Sequence, residues 1–350
     1  MKVLNRISDR AAKRAALVLG GLGVLLVGAA LFVTFGTDRG AQVTTYSMGA
    51  YVQQTVYGPD RDEALQAGAA AVSELDGLLS WRIQGSDIDR LNESAGQGEI
   101  TLDPRTWQVL SDAQAVCEAS QGAIDLTIGP VSQLWDFGGD PAVPEENELA
   151  AALERVDYTG LLLGEDCAAA LRKEGAVLDL GAVGKGAGCD AALAAYEALD
   201  VDRAVVAVGG SVGVYGEKPF GKSWEINLRD PKNSGSLGVL RIKTGVVSTS
   251  GSYERNFTQN GVTYHHLLDP ATGYPADSGL VSVTVVCENG AQSDALATAC
   301  FVLGLERSLP LLEEFHAQGL FIDKEDRITV TGGLDFTLTG EGYSLSPLPD

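Results

Sequence analysis

The sequence predicts an α+β domain of mostly antiparallel sheet with packed helices, preceded by one N-terminal transmembrane helix. Three observations carry this expectation. The runs 204–208, 223–228, 238–243 and 280–286 are short and β-branched or alternating, the pattern of strands in a largely antiparallel sheet. Apolar residues at helical spacing lie between and around them, without the strict strand–helix alternation that builds a parallel sheet. An uncharged run, 15–37, precedes everything else.

The chain opens on a basic tail, 1–14, carrying Lys2, Arg6, Arg10, Lys13 and Arg14. Crossing the hydrocarbon core takes roughly 20 residues, so the run 15–37 is long enough to span a bilayer as a helix. Basic residues before the span orient the tail to the cytoplasm and the rest of the chain to the outside. The run exceeds the apolar region of a signal peptide, and no convincing small-x-small cleavage site follows it. An uncleaved signal anchor is expected, making a single-pass protein of the cell membrane with an extracytoplasmic domain. A linker, 38–45, leads into one domain at 46–345, within which no composition break appears.

Within the domain, 61–79 reads as a helix with Leu65, Ala69, Val72, Leu75 and Leu79 at helical spacing. Helices are also predicted at 107–119 and 145–155. The apolar run 176–180 reads as a strand leading through a glycine loop into a helix at 188–199. After the strands named above, 293–303 and 307–317 read as helices, and 319–322 and 328–331 as closing strands.

Composition narrows the function classes. A formal net charge of -22 argues against nucleic acid as a partner, since binding it needs basic patches. An anionic small ligand stays compatible if a metal or backbone N–H groups supply local positive potential. The five cysteines, Cys117, Cys167, Cys189, Cys287 and Cys300, contain no C-x-x-C spacing, which excludes a zinc ribbon or a thioredoxin-type motif. Buried free thiols are the favoured reading.

Three segments carry chemistry. In Asp179-Leu-Gly-Ala-Val-Gly-Lys-Gly-Ala-Gly-Cys-Asp190 a Walker A loop fails at both ends, because Asp179 stands for the first glycine and Gly186 follows Lys185. A loose dinucleotide fingerprint lacks its ribose-binding acid. What survives is a glycine loop that lets backbone groups approach a phosphate, against the plain alternative of a tight turn. In Ser293-Asp294-Ala-Leu-Ala-Thr298, Asp294 and Thr298 are four apart on a helix and share a face, so two hard oxygens can reach one Mg²⁺. The competing reading makes Ser293 an N-cap and Asp294 a complement to the helix dipole. The third segment, Thr249-Ser-Gly-Ser-Tyr253-Glu-Arg255 followed by Tyr264-His265-His266-Leu-Leu-Asp269-Pro-Ala-Thr272-Gly-Tyr-Pro275, holds two of the three histidines beside turn residues; acid–base use and a structural role are both open. His316 reads as a surface or capping residue.

Taken in order, these segments and five more resemble the ApbE family of FAD:protein FMN transferases. Met48-Gly49-Ala50, Ser86-Asp-Ile-Asp-Arg-Leu-Asn92, Gly122-Ala123-Ile-Asp125-Leu-Thr-Ile-Gly129-Pro130 with Trp135-Asp-Phe-Gly138, and Asp179-Leu-Gly-x-x-Gly-Lys185-Gly match its blocks. Gly209-Gly210, Thr249-Ser-Gly, His266-x-x-Asp269-Pro-x-Thr-Gly273 and Asp294-Ala-Leu-Ala-Thr298 follow in family order. Ala50 replaces the usual threonine, Trp81-Arg82 stands where a tyrosine commonly lines the flavin pocket, and Ile124 replaces a bulkier residue.

The resemblance implies a single ApbE-like domain with FAD as substrate and Mg²⁺ held by Asp294, Thr298 and the carbonyl of Ala182. Met48, Ala123, Ile124, Asp125, Asp179, Lys185, His266 and Leu267 would line the FAD site. His266 would act as general base with Asp269 orienting it. The acceptor would be a protein with a flavinylation-site Thr or Ser, for example an exported electron-transfer subunit. A Mg²⁺-dependent FAD pyrophosphatase and a non-catalytic surface flavin-binding protein are the alternatives.

Overall fold

Val246 and Val247 are neighbours on one strand yet belong to different hydrophobic clusters, because successive side chains of a strand point to opposite faces. That alternation gives the central sheet two buried faces. In the computed structural model, which describes residues 40–349, nine strands lie side by side. Their order is Ala41–Ser47, Ala50–Tyr57, Arg203–Val208, Ser211–Tyr215, Gly245–Gly251, Leu280–Cys287, Gln318–Asp323, Arg327–Val330 and Ser344–Ser346. Every pairing is antiparallel except the last, which is parallel. The α+β class and the mostly antiparallel sheet are as the sequence predicts.

The helices Arg61–Leu79, Gly184–Glu197 and Gly290–Leu303 cover one face. Leu65, Val72 and Tyr196 pack there against Val52, Val206 and Val246. On the other face a three-stranded sheet, Trp224–Arg229, Ser236–Ile242 and Asp335–Leu338, sets Leu228, Leu237 and Leu240 against Val247, Leu320 and Ile322. The shorter helices Asp87–Glu93 and Pro104–Ala119 lean on the helix layer; Leu91, Leu110 and Leu126 share a core with Leu296 and Val283. Helix Gly129–Trp135 sets Val131 and Trp135 in a separate cluster with Leu149 and Leu268.

Four expectations need correction. Segment 176–180 is not a strand. Asn92 takes its polar groups instead, accepting from Leu178 N at 2.7 Å and donating to Leu178 O at 3.4 Å, while Gly129 N and Leu126 O occupy its neighbours. The helix expected from 188 begins at Gly184, and the one expected from 293 begins at Gly290. Asn289 therefore caps the second helix, accepting from Gln292 N, and Ser293 donates to the carbonyls of Val246 and Val285. Most of the expected linker is structured, because the edge strand starts at Ala41. All five thiols are free, and four are buried. The expected membrane span 15–37 lies outside the described residues, among which no helix is long and apolar enough to cross a membrane.

Candidate active site

The first strand hairpin turns on two residues, Met48 and Gly49, both with positive φ (53° and 68°). That geometry suits the right-handed twist of the strands it joins, but it costs a non-glycine residue energy. Asp76 holds the turn: its Oδ2 accepts from Met48 N at 2.7 Å and from Ser47 Oγ at 2.9 Å. Met48 thereby packs on Gly188, where an added Cβ would sit 2.8 Å from the methionine sulfur. Met48 lines a cleft of about 1080 Å³.

The cleft gathers the other segments. Ala123, Ile124 and Asp125 form part of one wall, and Asp179, Ala182 and Lys185 another. His266, Leu267, Asp294 and Thr298 complete it. Asp269 does not line it; its carboxylate accepts from Ala271 N within its own turn. Arg82, stacked over the Trp81 ring at 4.4 Å, also lines the cleft, so the departure at Trp81-Arg82 is part of its wall.

Asp125 is walled in by donors: Thr127 N and Oγ1 on Oδ1, both at 2.7 Å, and Tyr158 N on Oδ2 at 2.8 Å. Burial raises its pKa against the lowering effect of those bonds. Asp179 accepts from Ser132 Oγ at 2.6 Å and from Gly181 N at 2.9 Å, which fixes the turn before helix Gly184–Glu197. The N-cap residue of that helix, Val183, gives no side-chain cap; Gly184 N bonds Leu180 O and Gly186 N bonds Asp294, which leaves Lys185 as the source of positive potential for an anion at this helix end.

Asp294, 2% exposed, lies opposite that helix end. Its Oδ2 receives Gly186 N at 3.2 Å and stands 3.4 Å from Lys185 Nζ, leaving Oδ1 available. Helix Gly184–Glu197 takes Val183 O as its first acceptor, so the Ala182 carbonyl precedes the helical ladder and is free of it. Thr298 Oγ1 lies 3.0 Å from Ser250 Oγ. A carboxylate oxygen, a hydroxyl and a free carbonyl are hard donors, so these residues fit Mg²⁺. Among the described residues no group of three His, Cys, Asp or Glu could hold a metal, so phosphate or water oxygens would complete the shell.

His266 is half-buried, with Nδ1 3.3 Å from the carbonyl of Arg255. A carbonyl can only accept, so the proton sits on Nδ1 and Nε2 keeps its lone pair. Its ring partner is thus Arg255, not Asp269. Burial first, then the charges of Lys185 and Arg255, push its pKa down to about 4. His265 is no cleft residue; its ring meets Phe301 edge-on, centroids 5.5 Å apart. Trp135, fully buried, donates Nε1–H to Gly273 O at 2.8 Å and stacks on Phe137, pinning the loop that carries His266. Sequence reasoning missed Asp76 and Ser132, and it singled out the segment holding Ser250 and Arg255 without giving either a role; all four act through contacts distant in the chain.

A family model described as "ApbE family" matches residues 48–321. The chain belongs to the ApbE family. It is 34% identical over 290 residues to an FAD:protein FMN transferase of Treponema pallidum, covering 77% of this chain and 80% of that protein. A second FAD:protein FMN transferase, from Klebsiella pneumoniae, is 31% identical over 315 residues, covering 87% and 97%. The crystal structure of the ApbE protein of Thermotoga maritima superposes with a TM-score of 0.75 at 28% identity, covering 86% of this chain and 97% of that one. The ApbE match begins at Met48, the turn residue at the cleft, and runs to the last long strand of the sheet.

Proposed function

We propose that this chain is an FAD:protein FMN transferase, taking FAD as substrate, attaching FMN to a Ser or Thr hydroxyl of an acceptor protein and releasing AMP. The observation that carries the reading is one cleft joining Lys185 at a helix end, a hard-oxygen donor set and a neutral imidazole. Membership of the ApbE family and the shared name of its relatives support it. Met48, Ala123, Ile124, Asp125 and Leu267 supply walls for the flavin half, and the turn at Asp179 with Lys185 faces the pyrophosphate. Mg²⁺, held by Asp294, Thr298 and the Ala182 carbonyl, neutralises phosphate charge when bound.

His266 Nε2 takes the proton of the acceptor hydroxyl as that oxygen bonds the FMN-side phosphorus. The bond from this phosphorus to the AMP oxygen breaks, and AMP leaves with the electron pair. The uncharged run 15–37 supports a membrane anchor with the domain outside the cytoplasm, so the acceptor is an exported protein. Release of AMP from FAD, followed with and without an acceptor protein, tests the assignment. Transfer predicts AMP release that depends on the acceptor; equal release of FMN and AMP without it would instead support a pyrophosphatase.

A further inference from the structure

The helix Gly290–Leu303 presents three early N–H groups that need outside partners. Asn289 takes that of Gln292. The other two go to a residue of a different helix: Asp190 Oδ1 accepts from Gly290 N at 2.7 Å and Oδ2 from Ala291 N at 3.0 Å. One turn earlier on the Asp190 helix, Gly186 N reaches Asp294, one turn later on its partner. Between these two bonds the backbones touch. A Cβ on Gly186 would lie 1.8 Å from Gly290 O, and a Cβ on Gly290 would lie 2.3 Å from Gly186 O. Two glycines allow the approach, and a carboxylate at one end with an amide at the other lock it.

We propose that Asp190 is a positioning residue for the metal site: by clamping the end of helix Gly290–Leu303 onto helix Gly184–Glu197, it keeps Gly186 N on Asp294 Oδ2 and so fixes the Asp294 carboxylate in the cleft. The inference rests on the reading that Asp294, Thr298 and Ala182 hold the metal. Asp190 touches neither metal nor substrate in this scheme. Its carboxylate satisfies N–H groups that would otherwise be open, so this helix end is closed to anions. Burial raises the Asp190 pKa to about 6, so the fold holds this carboxylate charged at neutral pH against a desolvation cost.

The test is Mn²⁺ binding to the full chain in the presence of ADP, followed by water-proton relaxation, for wild type, Asp190→Asn, Asp112→Asn and Asp294→Ala. In Asp190→Asn an amide N–H₂ must face a backbone N–H, and Mn²⁺ affinity is expected to fall about 10- to 100-fold, the range for residues that orient metal ligands. FAD affinity without metal should hold within about twofold, since uncoupled sites behave independently. Asp112, which accepts from the Asn289 side chain at the same helix end and from Gln108 on its own helix, serves as control and should leave Mn²⁺ affinity unchanged. A lowered melting temperature with wild-type Mn²⁺ affinity in Asp190→Asn would reduce the residue to a structural cap and overturn the proposal. Mn²⁺ affinity retained in Asp294→Ala would instead overturn the metal reading beneath it. If Asp190→Asn does not fold, amide exchange on the wild type decides. The Gly290 and Ala291 amides should be protected before metal is added, and protection that appears only with metal contradicts a pre-formed clamp.

Discussion

His266 keeps its proton on the nitrogen that faces Arg255 O and leaves the other free, so the base is set by a backbone carbonyl rather than by a carboxylate. His266→Ala should slow FMN transfer about 10²–10⁴-fold while FAD binding survives, measured by single-turnover transfer and by flavin titration. The pH profile has a definite sign. A pKa depressed from 6.5 to about 4 keeps the imidazole neutral, hence basic, through the mildly acidic range. The acid limb of kcat/KM should then fall near pH 4, and a limb near 6.5 would assign the profile to an unperturbed histidine. At the proposed metal site, Asp294→Ala should cost more activity than Thr298→Ala, because it removes a buried carboxylate facing Lys185 rather than a neutral hydroxyl shared with Ser250. Both should be read as activity against Mg²⁺ concentration. The place of Asp294 and His266 in one cleft was legible because their motifs are local; the partner of His266 was not, since Arg255 is eleven residues back across a hairpin.

Local pattern also fixed the type of most elements and misplaced their ends for one reason: the caps come from elsewhere. Helix Gly290–Leu303 begins three residues early because Asp190, 100 residues upstream in the chain, accepts its first N–H groups. Segment 176–180 has the composition of a strand, but Asn92 supplies the partners a neighbouring strand would give. The hairpin Ala41–Ser47 and Ala50–Tyr57 carried a signal, alternating Val52, Gln54 and Val56 after a glycine turn, that its polar residues masked. Its turn makes a prediction. Asp76→Ala removes one hydrogen bond from the strained Met48 and one from Ser47 and should lower stability by about 1–3 kcal/mol, with FAD affinity weakened in proportion to the disorder of Met48. Denaturant unfolding and flavin titration read both. The loop bearing His266 depends likewise on Trp135: Trp135→Phe leaves Gly273 O without its donor, and transfer should fall more than the melting temperature suggests.

At the scale of the whole molecule, the three-layer core sets the start of helix Gly184–Glu197 beside the hairpin turn, and the acidic surface leaves Lys185 among the few cations at the cleft. The basic tail and uncharged run predict that the full chain stays with membranes in high salt and that reporters fused after residue 45 work only outside the cytoplasm. A shortened, freely soluble form recovered from cells would contradict the anchor. The central claim is the transfer of FMN to a protein hydroxyl, and ¹⁸O-labelled water tests it most directly. With FAD, Mg²⁺ and an exported acceptor, mass spectrometry should find the acceptor heavier by FMN less one water, AMP formed in equal amount, and no ¹⁸O in either phosphate. Free FMN or AMP carrying ¹⁸O, with the acceptor unchanged in mass, would contradict it.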